Sequence, residues 1–194
     1  MNRTPLGSAF LLTLALASCA PSAPPRWVEG GAPLLLAPAR WHRNGAETIE
    51  IRGDGTVLEG GTLRFVIDRV GRVTDEDYDA YAVLQPDGQL VGADDRALGY
   101  VGLNNTTPPG HKQAWLSLQP DGSVTFYQQS GERVPLGKWN GCNGQLRRTC
   151  TLVTQLFTEQ NLRVEPNYSP YGPYGGPYGP GPRFGVGVGV GVGY

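Results

Sequence analysis

Leu84-Gln85-Pro86-Asp87-Gly88 and Leu118-Gln119-Pro120-Asp121-Gly122 are near-copies of one five-residue phrase, and their reading decides the fold. Proline presets φ and glycine accepts a positive φ, so Pro-Asp-Gly between apolar runs specifies a tight hairpin turn. Asp54-Gly55 is a third, looser copy, and the three recur at a spacing of 33 to 34 residues. The runs beside these turns are short and rich in β-branched or aromatic residues: Thr48-Ile49-Glu50-Ile51, Leu63-Arg64-Phe65-Val66-Ile67, Tyr81-Ala82-Val83-Leu84, Ala114-Trp115-Leu116-Ser117-Leu118 and Val124-Thr125-Phe126-Tyr127. Each has the composition of a strand bounded by turn residues. Gly71, Gly92 and Gly131 mark further turns or bulges. The pattern predicts an all-β fold, an antiparallel meander of about eight to ten short strands closing into a small sandwich or barrel. Three diverged copies are too few to close a propeller. Only residues 152–162 depart from the pattern, where Leu152, Val153, Leu156 and Phe157 permit either a single helix or a closing strand.

On the N-terminal side, Arg3 precedes an apolar run from Ala9 to Leu16, and Leu16-Ala17-Ser18-Cys19 is followed at once by Ala20-Pro21-Ser22-Ala23-Pro24-Pro25. The apolar run is far shorter than the about 20 residues a membrane-spanning helix needs. Positive start, short apolar run and small residues before a cysteine resemble the signal peptide of bacterial lipoproteins. That resemblance implies cleavage between Ser18 and Cys19, a thioether-linked diacylglycerol on Cys19 and a further acyl chain on its new amino group. Two or more chains, at about 0.8 kcal/mol per buried CH₂, make a stable anchor. In that family an aspartate after the lipidated cysteine tends to retain the protein in the inner membrane; Ala20 stands there, which implies the outer membrane of a two-membrane cell envelope.

The chain divides accordingly into a signal peptide (1–18), a Pro/Ala-rich lipid-anchored tether (19–39), a β-rich domain (40–165) and a low-complexity tail (166–194). In the tether, Trp27 and Leu34-Leu35-Leu36 are the residues able to pack on the domain or sit near lipid headgroups. In the tail, Pro170-Tyr171-Gly172, Pro173-Tyr174-Gly175 and Pro177-Tyr178-Gly179 lead into a strict Gly/Val alternation over residues 185–193. So much glycine and proline builds no core. Extended, however, the alternation sets every valine on one face, a pattern suited to strand addition or tail-to-tail stacking.

With 16 Lys and Arg against 17 Asp and Glu, a net charge of -1 gives no basic field for nucleic acid. Once Cys19 is assigned to lipid, Cys142 and Cys150 remain, in an exported and oxidising compartment. One disulfide closing residues 141–151 is the economical reading, since the spacing is not C-x-x-C and no histidine lies nearby.

Chemistry is sparse. His42 and His111 are the only histidines, and no nucleophile elbow, zinc helix, phosphate loop or dinucleotide fingerprint is present. Asp75, Asp77 and Asp79 alternate in a loop and offer oxygens to Ca²⁺, with Asp94-Asp95 as a second cluster; Ala80 and Pro86 stand where an EF-hand needs its glycine and its bidentate glutamate. Trp115, Tyr127 and Trp139 lie on or beside strong strands and are the candidates for an aromatic surface that binds a glycan or an envelope protein. These observations point to a non-enzymatic binding or structural role. A small lipid-anchored β-barrel with one disulfide is similar to the membrane-bound lysozyme inhibitors, which implies inhibition of an envelope hydrolase as the alternative; a hydrolase built on scattered carboxylates is the third reading.

Overall fold

The computed structural model describes residues 22–164 apart from Gln129, with no side-chain detail for residues 161–164. The signal peptide, Cys19 and the tail of residues 166–194 lie outside the described residues. Twelve strands follow one another around a closed antiparallel barrel: β1 (Ala39–Arg43), β2 (Ile49–Ile51), β3 (Thr56–Glu59), β4 (Thr62–Ile67), β5 (Arg72–Thr74), β6 (Ala80–Leu84), β7 (Gln89–Gly92), β8 (Ala97–Val101), β9 (Asn105–Thr107), β10 (Leu116–Leu118), β11 (Ser123–Tyr127) and β12 (Arg133–Asn140). Every strand pairs with its sequence neighbours, and β12 closes on β1 through Trp41↔Trp139 and His42↔Lys138. The barrel form of the expectation therefore holds, with more strands than the sequence signalled. Among the described residues one α-helix, α1 (Leu146–Val164), completes the fold.

Alternation sets the inside. In β1, Ala39 and Trp41 are buried while Arg40 and His42 face out; in β11, Val124 and Phe126 point in. The strands run three to eight residues, shorter than the about 9–11 of a membrane-spanning strand. Arg40, Glu50, Arg72 and Lys138 set charged groups on the outer wall.

The turns that carry Asp and Gly lie at one end of the barrel. Asp54 Oδ1 accepts from Thr56 N (2.9 Å), Asp68 Oδ1 from Val70 N (3.0 Å), Asp87 Oδ1 from Gln89 N (2.9 Å) and Asp121 Oδ1 from Ser123 N (3.0 Å). Each turn is then stitched to the next hairpin. Ile67 N donates to Gly55 O, Leu84 N to Gly71 O, Val101 N to Gly88 O, Leu118 N to Asn104 O and Trp139 N to Gly122 O, all at 2.7–2.9 Å. The structural repeat is thus a single hairpin of 16 to 18 residues, half the spacing of the obvious copies. Stitching also requires glycine: at Gly122, φ is +90° and a Cβ would lie 2.2 Å from Trp139 O. The opposite end, here the loop end, carries residues 44–48, 60–61, 75–79, 93–96, 108–115, 128 and 130–132.

A barrel of about eight strands is filled by its own inward side chains, and the diameter grows with strand number. Twelve strands leave a wider lumen, and α1 occupies it. Every residue from 149 to 159 is buried, a length of about 16 Å along a helix axis. That is close to the span of a five-residue strand, about 17 Å. Burial all around the helix, rather than along one stripe, is the signature of an element enclosed by the wall.

The helix starts at the turn end. Arg147 binds Asn104 Oδ1 (2.6 Å), Gln119 O (3.0 Å) and Leu118 O, and the Cys142–Cys150 disulfide, with a Cα–Cα distance of 6.2 Å, ties the helix to the end of β12. Within the segment read from sequence as a tether, residues 31–37 lie on the same end. Gly31 N donates to Val70 O, Ala32 N to Leu84 O and Leu34 N to Arg69 O, while Leu35 O accepts from Thr149 Oγ1 at 2.7 Å. Ala32 and Leu34 are buried in the core. Leu34 and Leu36 therefore pack on the domain, whereas Leu35 remains half exposed.

Candidate functional site

The lumen holds most of the buried polar chemistry, and apart from Trp41 Nε1 the chain satisfies it internally. Gln155 is the pivot: its Oε1 accepts from Trp115 Nε1 (2.9 Å) and its Nε2 donates to Leu98 O (2.8 Å). Trp115 Nε1 also reaches Thr106 Oγ1 at 2.9 Å. Trp139 Nε1 donates to Thr154 Oγ1 (3.0 Å), whose hydroxyl in turn donates to Cys150 O (2.8 Å). Thr151 Oγ1 donates to Leu103 O and Arg147 O.

This overturns the aromatic surface expected from the sequence. Trp115 and Trp139 are buried wall residues whose indoles hold the helix, and Trp139 stacks on Trp41 at 5.7 Å. Tyr127 faces outward and half-buried, its hydroxyl 3.2 Å from Ser117 Oγ with the Arg133 guanidinium over its ring. Tyr127 thus faces away from the two indoles, because inward Phe126 precedes it and positions alternate along a strand.

The acidic loop does not converge either. Asp75 Oδ1 accepts from Asp77 N (3.1 Å) and Asp79 N (2.9 Å), so that carboxylate shapes its own turn. Among the described residues no group of three or more His, Cys, Asp or Glu side chains is placed to hold a metal ion, and the Ca²⁺ reading of Asp75, Asp77 and Asp79 gains no geometry. Asp94 has a different task. Its Oδ1 accepts from Ser22 N (3.0 Å) and Ser22 Oγ (2.9 Å), and its own N donates to Ser22 O (3.2 Å). The Ser22 N–H and hydroxyl hold the Asp94 carboxyl below its ordinary value of 3.8, and Asp54 and Asp121 are lowered first by the N–H groups of Thr56 and Ser123.

One cleft opens at the loop end, where α1 leaves the barrel. Trp41, Arg43, Asn44, Ala46, Phe126, Leu136 and Thr158 line a volume of about 250 Å³. Arg43 lies between the Trp41 and Phe157 rings, with its guanidinium carbon 5.8 and 5.5 Å from their centroids, and it pairs with Glu59 while its Nε donates to Glu47 O at 2.7 Å. Trp41 Nε1 is buried without a hydrogen-bond partner. The cleft is thus mostly apolar, with a guanidinium already committed to the wall. It offers neither a nucleophile with an adjacent base nor a pair of carboxylates. Nothing in the sequence marked it, because its lining is drawn from β1, β11, β12 and α1. Compared with protein families, curated proteins and solved structures, the chain matches none.

Proposed function

We propose that the chain is a cell-envelope lipoprotein with a non-enzymatic binding or structural role, exported behind residues 1–18 and held to the outer membrane by diacylglycerol on Cys19. The observation that carries the role is the filled lumen. A barrel of this size has room for a ligand or a channel, and here the chain's own helix takes that room with its polar side chains satisfied by the wall. The barrel reads as a rigid stand between two terminal segments. Recognition of an envelope protein or glycan then belongs to its outer surfaces and to the tail.

Fractionation of envelopes with intact-mass measurement tests the anchor. The wild-type protein is expected in the membrane fraction carrying acyl mass and lacking residues 1–18, and Cys19→Ala is expected to lose both features. An unmodified wild-type mass overturns the reading. Co-purification from detergent-solubilised envelopes tests the role, with a retained protein or glycan expected and turnover of envelope glycan by the purified barrel as the contrary result.

A further inference from the structure

We propose that the barrel stands on the bilayer with its loop end toward the lipid and its Asp-Gly turns facing away, so that the loop end is a membrane-apposed surface. This rests on lipidation of Cys19. The geometry comes from both termini. Ser22 is clasped to Asp94 in the loop between β7 and β8 by three hydrogen bonds, and Cys19 precedes it by three residues, a reach of at most about 10 Å. The acyl chains therefore enter the bilayer beside the loop end.

The chain then crosses the outside of the barrel before its first strand. Pro24 is buried, Gly30 packs against Val70, and residues 31–36 cover the turn end. That crossing is pinned at both ends, so the anchor cannot swing to the far side without breaking the Ser22 clasp. The helix enters the lumen at the turn end and emerges at the loop end, where Thr158 lines the cleft with Arg43 and Asn44. The Ser22 clasp and the helix exit thus lie at one end of the barrel.

The surface so placed has its own chemistry. Tyr78 at the tip of the β5–β6 loop is 69 % exposed, and a tyrosine with an apolar ring and a polar tip suits the headgroup layer. The same loop carries Asp75, Glu76, Asp77 and Asp79, and the β7–β8 loop at the same end carries Asp94 and Asp95. Arg64 and Arg96 answer them, Arg64 lying 3.8 Å from Glu76 and Arg96 acting on Asp94. The excess of carboxylates fits a zwitterionic lipid face and opposes an anionic one.

The test uses the full lipidated chain in phosphatidylcholine vesicles containing a headgroup-linked energy acceptor. A donor fluorophore is placed on Tyr78→Cys or Lys112→Cys at the loop end and on Arg69→Cys at the turn end; the added thiol is the free one while Cys142 and Cys150 stay paired. Both loop-end probes are expected to lie nearer the lipid than the Arg69 probe, by about the 16 Å of the enclosed helix. Two loop-end positions on separate loops distinguish an upright barrel from one lying on its side. Equal transfer from the two ends, or stronger transfer from position 69, overturns the orientation alone. Vesicle flotation separates the failures, because a wild-type chain that does not float, or a Cys19→Ala chain that does, overturns the lipidation reading itself.

Discussion

Gln155 shows how a single residue decides whether the lumen is closed. It serves Trp115 and Leu98 at once, so Gln155→Leu strands Leu98 O, leaves Trp115 Nε1 with Thr106 Oγ1 alone and is expected to cost about 1–3 kcal/mol, read as a lower urea midpoint at unchanged slope. Gly122→Ala combines a positive φ with a collision against Trp139 O; a loss of about 2–4 kcal/mol is expected in the same measurement. Asp54, Asp94 and Asp121 supply the pH dependence. Their folded values lie below 3.8 because N–H groups donate to the ionised form, so the folded chain binds fewer protons than the unfolded one. Their contribution is present above the unfolded value and is lost as pH falls through the folded values, in the range below about pH 4. Carboxyl resonances of these three aspartates followed by acid titration are expected to show midpoints below 3.8. The turns that Asp54 and Asp121 shape were legible in sequence because Asp and Gly act locally, whereas the Asp94 clasp joins residues 72 apart and left no local signal. Trp115 and Trp139 were legible as strand residues but not as helix partners, since whether an indole points inward depends on the register of a sheet assembled from distant hairpins.

Among the elements, α1 is where sequence reasoning had least purchase. Thr149, Thr151, Thr154, Gln155 and Thr158 lie among the apolar residues Leu152, Val153, Leu156 and Phe157, and all are buried. A helix enclosed by a hydrogen-bonding wall has no solvated face, and its polar residues mark contacts instead. The count of strands was short for a related reason. The β8–β9 turn uses Asn104 where the others use glycine, and β5 and β9 are only three residues long, so the hairpin period was visible only at twice its length. The disulfide was legible from cysteine arithmetic alone. It joins the loop after β12 to the first turns of α1, so its loss loosens the helix and not the strand pairing. Reduction or Cys142→Ser is expected to cost about 2–4 kcal/mol with strand content retained. Calorimetry and circular dichroism read the two effects, and two reactive thiols in the unfolded, unreduced chain would disprove the bond.

At the scale of the molecule, closure governs what the tail is able to do. Strand addition needs an unpaired sheet edge, and every strand of this barrel is hydrogen-bonded on both sides, β1 and β12 to each other. Residues 185–193, with glycine and valine in strict alternation, therefore have no edge on their own barrel to join. Their face of valines is left for a second tail or for another surface, and glycine makes the ordered form costly in entropy, so pairing calls for a high local concentration. Under the proposed lipid anchor, crowding of molecules on one membrane supplies that concentration. Deleting residues 166–194 is accordingly expected to leave the melting temperature of the barrel unchanged while abolishing concentration-dependent self-association of the lipidated chain. Scanning calorimetry and sedimentation in detergent measure the two quantities on the same preparation. A drop in melting temperature of several degrees, corresponding to about 1 kcal/mol or more in a domain of this size, would mean that the tail packs on the barrel, and an unchanged association would move the contact to the wall.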